Sequence, residues 1–289
     1  MLPSIGVFYG RRESDTVAVS AYKIWAVGPR VGNSATAPIH VGVAGIAKSN
    51  AVGPPTTVSN ELVCSRLASA LLLPTPPGFL IQHNGSPHFV SLDFNLAGHT
   101  LPPANGASVV AAHAELSWGI VLFDMWILNG DRHSQNVAHD STTNAVQIFD
   151  HSHALFARGR QQMIDNGALP GIGGHCIAPH LSSLFGLDGW YARINALPEY
   201  FVRTCVHDVA EPHFGVTKDE ATYCADWLLE RRKKLKDIVF SNRNVFPKIP
   251  EAAWSVCDKK SLITAAAPEQ PATSAKAESG VQSPPGEMP

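Results

Sequence analysis

The chain has 289 residues, enough for one large domain or two small ones. Apolar residues make up 45% of it and charged residues only 16%, against about a quarter in an average domain. With 22 basic and 24 acidic residues the formal charge is −2, which argues against a general polyanion or nucleic-acid binder. No apolar run reaches the roughly 18 residues that a membrane-spanning helix needs. The segment Met1–Ser14 shows no apolar run followed by a small-residue cleavage site, so no secretory signal is expected. Cysteines stand at 64, 176, 205, 224 and 257, an odd number without a CxxC pair. Buried free thiols in a reducing cytoplasm are the expectation, rather than disulfides or a cysteine zinc site.

In chain order, Thr16–Trp25 is β-branched and aromatic and reads as a strand. A Gly/Pro/Asn turn region follows to Pro38, and Ile39–Lys48 reads as one strand or two very short ones. Over residues 59–72 the period changes: Val63, Leu67 and Leu71 recur every fourth residue, so a helix is predicted with Ser59 as its N-cap. Pro74, Pro76 and Pro77 end it. Phe79–Gln82 and His88–Phe94 form two strands joined at Asn84-Gly85, a favoured hairpin turn. Residues 95–107 are rich in Gly and Pro and mark a lobe boundary. From Ala107 to Leu128 the helical period returns, stopped at Asn129-Gly130. A turn at Asp140–Asn144 and a strand Ala145–Phe149 follow. Thr217 opens a last helix with Ala221, Cys224, Leu228 and Leu235 on one face, and the run Glu230–Lys234 with Lys236 reads as its solvated face. Beyond Lys260 the composition falls to Ala, Pro, Ser, Glu, Gln and Gly, which cannot bury a core, so a disordered tail is expected.

The chemistry concentrates in Asn129-Gly-Asp-Arg-His-Ser-Gln-Asn136 and Gln147-Ile-Phe-Asp-His151. An Asp with an Asn five residues on follows an apolar helix, and a second Asp closes a strand beyond a short hairpin. Phosphoryl transfer needs such a set: one carboxylate to orient the acceptor hydroxyl and take its proton, and an amide oxygen with a second carboxylate to hold Mg2+ against nucleotide phosphates. Upstream, Lys48 ends a strand and Glu61 lies early on the next helix, the order of an ion pair that turns a lysine toward phosphates.

On Gly130-Asp-Arg-His-x-x-Asn136 and Ile148-Phe-Asp-His151 the chain resembles the HipA-like kinase family and, more distantly, the phosphatidylinositol kinases. Phe123–Asn129, the helix–proline junction Asn60–Pro77 and the late helix ending Leu228–Leu235 support the resemblance, which runs from about residue 30 to about residue 240. It implies an α+β, two-lobed protein-kinase-like fold that binds ATP and Mg2+ between its lobes: a small strand-rich N-lobe over residues 1–95, a mainly helical C-lobe over 96–258 and the disordered tail over 259–289. Asp131 would be the catalytic base, Asn136 and Asp150 the metal ligands, and Lys48 the contact to the α- and β-phosphates with Glu61 as its partner. The strand ending at Leu92 and Asp93 would lead into a hinge whose backbone meets adenine. Gly32-Asn33-Ser34 would offer donors to phosphate, since no G-x-G-x-x-G occurs. Arg132, His133 and His151 would support the loops, with His133 more structural than substrate-facing.

Where relatives read Asp-His-Gly, this chain reads Asp150-His151-Ser152. That keeps a second reading open, a kinase-shaped nucleotide-binding module without turnover. His133, His139, His151, His153, His175 and His180 open a third, a His/Asp metalloenzyme. The partners expected are a nucleotide and a hydroxyl acceptor, whether protein, lipid headgroup or small molecule, in the cytoplasm and without direct nucleic-acid contact.

Overall fold

The computed structural model describes residues 24–32, 35–94, 103–165 and 169–255. Asn33 and Ser34, most of the strand read at 16–25, residues 95–102 of the boundary segment, Cys257 and the tail after 255 lie outside them. The chain divides into two units, residues 1–250 and 251–289. Of the second, residues 251–255 are described, as a helical turn.

The first unit begins with an antiparallel pair, β1 (Ile24–Arg30) and β2 (Ile39–Val43). Next come β3 (Gly45–Ser49), helix α1 (Thr57–Ala70), β4 (Gly78–His83) and β5 (Ser86–Leu92). Ile39–Lys48 is therefore two short strands, broken at Ala44. The second sheet runs β3-β5-β4, all antiparallel. Asn84 and Gly85 both take positive φ, 50° and 74°, as a two-residue turn between twisted strands requires. Phe89 on the central strand β5 packs over Gly78, where any Cβ would strike its ring. The register sets Lys48 opposite Phe89. Val58, Leu62, Val63 and Leu67 of α1 and Leu71 at its C-cap are buried, and the helix packs on all three strands.

The helix α1 starts three residues earlier than the sequence suggested. Its N-cap is Thr56, which makes no side-chain cap bond, and Ser59 lies inside the helix with its hydroxyl donating to the Phe214 carbonyl at 2.8 Å. The turn that leads in, with the Thr57 hydroxyl and N–H both bonded to the Pro54 carbonyl, fixes that start.

The C-terminal region is mainly helical: α2 (Gly106–Ala112), α3 (Ala114–Trp126), α4 (Gly159–Asp165), α5 (Leu187–Ala196), α6 (Glu199–His207), α7 (Lys218–Lys233) and α8 (Leu235–Ser241). Between α3 and α4 sits a hairpin of β6 (Val137–Asp140) and β7 (Ala145–Ile148). The helix expected over 107–128 is broken at His113, whose backbone (φ −141°, ψ 56°) leaves the helical region while its ring bonds the Asn144 carbonyl. From Ser117 to Trp126 every residue of α3 is buried, the pattern of a helix packed on all sides. Its indoles donate to the Ser183 and Leu228 carbonyls. Thr217 and Glu220 close a reciprocal capping box at the start of α7.

One expectation for α7 fails. Arg231 is not on a solvated face: it is buried, and its guanidinium donates to the carbonyls of Met125, Leu169 and Pro170. Burial pushes its pKa down to about 10. Arg231 follows Leu228 by three residues and Cys224 by seven, so it shares their inward face. The α+β architecture, with strands first and helices after, is as expected, and among the described residues no helix is long and apolar enough to cross a membrane.

Candidate active site

Lys48 ends β3 beside the first turns of α1. Its Nζ donates to Glu61 Oε1 at 2.6 Å and lies 2.8 Å from Asp150 Oδ1. Burial alone would lower the lysine pKa, but the two carboxylates outweigh it and raise it. Burial likewise opposes ionisation of Asp150, yet Lys48 and the bonds from Ser152 hold its carboxyl well below the usual carboxylate range. Glu61 is buried, and its Oε1 also accepts the His151 N–H at 3.1 Å, so one carboxylate ties β3 to the segment after β7.

The hairpin brings the downstream pair together. Val137 stands opposite Ile148, and one step further the Phe149 N–H donates to the Asn136 carbonyl at 3.3 Å, so Asp150 emerges beside Asn136. The Asn136 amide donates to the Asp131 carbonyl at 2.9 Å and Oδ2 at 3.4 Å, and the Asp131 N–H donates to Asn129 Oδ1. The Asp131 side chain remains 40% exposed, open to an incoming hydroxyl.

A buried network beneath this turn holds the two loops in place. The Arg132 guanidinium donates to Asp124, to the Asn136 and Phe149 carbonyls at 2.8 and 2.6 Å, and lies 2.9 Å from His151 Nε2. His175 donates through Nε2 to Asp124 Oδ2 at 3.1 Å, because its Nδ1 accepts the N–H groups of Ile177 and Ala178. Burial lowers the His175 pKa in spite of Asp124, so the ring is neutral. Burial would raise the Asp124 carboxyl, but Arg132 and His175 reverse that and hold it well below its ordinary range. Arg132 is thus a brace for the loop rather than a group facing substrate. His133 is half-exposed, its Nδ1 accepting the Gln135 N–H and its Nε2 3.9 Å from Asp131 Oδ2.

Next to these groups lies a cavity of about 320 Å3, lined by Ile46, Lys48, Phe89, Asp93, Phe149 and Asp150 among others. Its apolar walls beside a lysine suit a flat base joined to phosphates. Asp93 lines it, whereas Leu92 does not. The N–H groups of both already donate to protein carbonyls, Leu92 to Pro77 and Asp93 to Ala44, so neither donor is left for a base.

The donor set suits Mg2+. Asp150 Oδ1 takes Lys48 and the Ser152 hydroxyl, while Oδ2 accepts no hydrogen bond from the described residues. The Asn136 nitrogen is engaged, which leaves its amide oxygen. One carboxylate and one amide oxygen are the hard donors this cation takes when phosphates complete its shell. The histidine-based metal site does not form. Among the described residues no group of three or more His, Cys, Asp or Glu is placed to hold a metal ion. His151 and His175 instead serve the Arg132 network, and His139 and His180 bond to Asn144 and Lys248.

The serine after His151 brings no backbone strain. The left-handed residue is Asp150 itself (φ 60°), and Ser152 has no positive φ. Asn60 secures this turn from α1, donating to the Ser152 carbonyl at 2.7 Å and accepting the Phe156 N–H. Asp124 and Asn60 were not singled out as site residues from sequence, and His175 entered only as a candidate metal ligand. Asp124 did carry a signal, a carboxylate set in the apolar run from Gly119 to Trp126.

The model of the HipA-like kinase family matches residues 44–166, from just before β3 to just past α4. The family supports a kinase-type phosphotransferase that uses a nucleotide. Among solved structures, the proinflammatory kinase CtkA of Helicobacter pylori aligns at 13% identity and TM-score 0.49, over 74% of this chain and 94% of that one. HipA of Shewanella oneidensis MR-1, a toxin–antitoxin protein solved with HipB and operator DNA, aligns at 12% and 0.37, over 74% and 68%. No curated protein matches the chain.

Proposed function

We propose that the chain is an ATP- and Mg2+-dependent phosphotransferase that moves the γ-phosphoryl group of ATP to a hydroxyl, with protein serine or threonine as the leading acceptor class. The observation that carries this is the position of Lys48 Nζ, between Glu61 and Asp150 at the edge of the 320 Å3 cavity. Glu61 keeps the lysine extended toward the phosphates. Asp131 orients the acceptor hydroxyl and takes its proton as the new O–P bond forms and the bond from γ-phosphorus to the β,γ-bridging oxygen breaks, releasing ADP. Asn136 and Asp150 would hold Mg2+, which when bound neutralises charge on the phosphates. Arg132 and His175 position the Asp131 loop against the Asp150 loop. The free thiols of Cys64, Cys205 and Cys224, all buried, fit a cytoplasmic setting.

A thermal-shift titration with ATP, with and without Mg2+, tests the nucleotide part. A Mg2+-dependent rise in Tm that disappears in Asp150→Asn is expected. No rise at millimolar ATP would overturn the reading. A rise without turnover on any acceptor would leave a nucleotide-binding module.

A further inference from the structure

A second cavity, of about 370 Å3, adjoins the Asp131 turn at Gly130. Gly130 forms one wall, next in sequence to the proposed base. The facing wall is the loop 169–173, which carries Leu169, Pro170 and Ile172. This loop is held against the site by the N–H of Cys176 on the Arg132 carbonyl at 2.8 Å and by His175 on Asp124. Gly171, at φ 72°, packs on Leu128, while Gly173 and Gly174 are exposed with open space where a Cβ would be.

The floor carries a cation that the fold does not neutralise. The Arg158 guanidinium rests on Gly130, so that a Cβ there would collide with it. Arg66, Arg132 and Arg203 each face a carboxylate. Arg158 faces none among the described residues, and its Nε is buried without a hydrogen-bond partner. The residue lines the cavity, with a terminal nitrogen at Gly130, so its uncompensated charge is open to a ligand that enters there. Gly130, which shares this wall, is next in sequence to the proposed base, so such a ligand would lie beside the proposed acceptor position.

We infer that this cavity is the acceptor subsite and that Arg158 selects an acidic peptide: an extended segment whose serine or threonine is flanked by a carboxylate side chain. The inference deepens the phosphotransferase reading and rests on it. A guanidinium pairs with a carboxylate through two parallel bonds, which gives geometry as well as charge. Leu169 and Ile172 offer apolar contact, and the bare backbone at Gly173 and Gly174 leaves room for a peptide main chain. A lipid headgroup or a small phosphorylated molecule would satisfy the charge but not the length of this wall.

The test uses the full chain and fluorescein-labelled nonapeptides with one central serine, flanked by glutamates, glutamines or lysines. Anisotropy titrations without nucleotide should show the glutamate peptide binding at least tenfold tighter than the glutamine peptide. The preference should shrink with added salt and vanish in Arg158→Gln, with Arg158→Lys retaining part of it. Equal binding of the glutamate and glutamine peptides, or an unchanged preference in Arg158→Gln at unaltered Tm, would overturn the assignment. Mass spectrometry of the same peptides after incubation with Mg2+-ATP separates the two claims. Serine phosphorylation without a glutamate preference sinks the subsite and keeps the kinase. A glutamate preference in binding without phosphorylation keeps the subsite and sinks the kinase.

Discussion

The Arg132 guanidinium grips the Asp124 carboxylate twice, Nε to Oδ2 at 2.8 Å and Nη2 to Oδ1 at 3.0 Å, with neither side chain exposed. A charge pair this deep stabilises little by itself, but removing one partner strands the other in a dry interior. Arg132→Met is therefore expected to lower stability by about 3–5 kcal/mol. The double variant Asp124→Leu/Arg132→Met should cost less than the sum of the single changes, and urea denaturation of the four proteins measures the difference.

The same network sets an acid limit. His175 has a depressed folded-state pKa, so as pH falls below about 6.5 the unfolded chain takes up a proton that the folded chain refuses. Stability should fall from that pH downward, by at most about 1.4 kcal/mol per pH unit for this one proton. Asp124 and Asp150 are also depressed, so their contribution is complete above the ordinary carboxylate range and is lost as pH drops below about 4. Unfolding midpoints between pH 7 and 3 should fall in two limbs, and His175→Gln should flatten the upper one. A single limb in the wild type would contradict this.

Lys48 compensates two carboxylates, and Lys48→Met leaves Glu61 buried without its cation. Phosphoryl transfer is expected to drop at least about a hundredfold, in line with losing a preorganised charge. Stability should fall by about 1–3 kcal/mol, and Glu61→Gln in the same chain should restore part of it. Calorimetry on the wild type and the two variants, alongside turnover, reads both effects.

Ser152 tests the departure from the family's glycine. Its hydroxyl donates to Asp150 Oδ1 at 2.8 Å, and its backbone takes no positive φ. Ser152→Gly is expected to cost about 1 kcal/mol, from one lost hydrogen bond and a looser unfolded chain. The Mg2+-ATP Tm shift should remain. Loss of that shift would show that the hydroxyl is required to place the metal ligand.

The meeting of Lys48 with Glu61 and Asp150, and of Asp131 with Asn136, was legible because local order carries it: a strand end, the first turns of a helix, one loop and one hairpin. Asp124 and His175 meet across fifty-one residues, and Arg158 reaches Gly130 from beyond the hairpin, so no short window held these contacts. Ser59 looked like a cap because caps favour serine, but the Pro54 turn opened the helix earlier and left it buried against Phe214. Arg231 was misplaced because its charge outweighed a period that already set it on the inner face. The break at His113 goes with a partner, Asn144, in the turn between β6 and β7, which helical periodicity does not register.

The start of α1 is fastened on several sides. Val58 donates its N–H to Asn50, Ser59 bonds the Phe214 carbonyl, and Asn60 grips both Ser152 and Phe156. Many regulated enzymes turn off by swinging the helix that carries the glutamate. Here such a swing would break all four bonds together and expose polar groups that are now dry. The start of this helix is a fixed strut, not a lever.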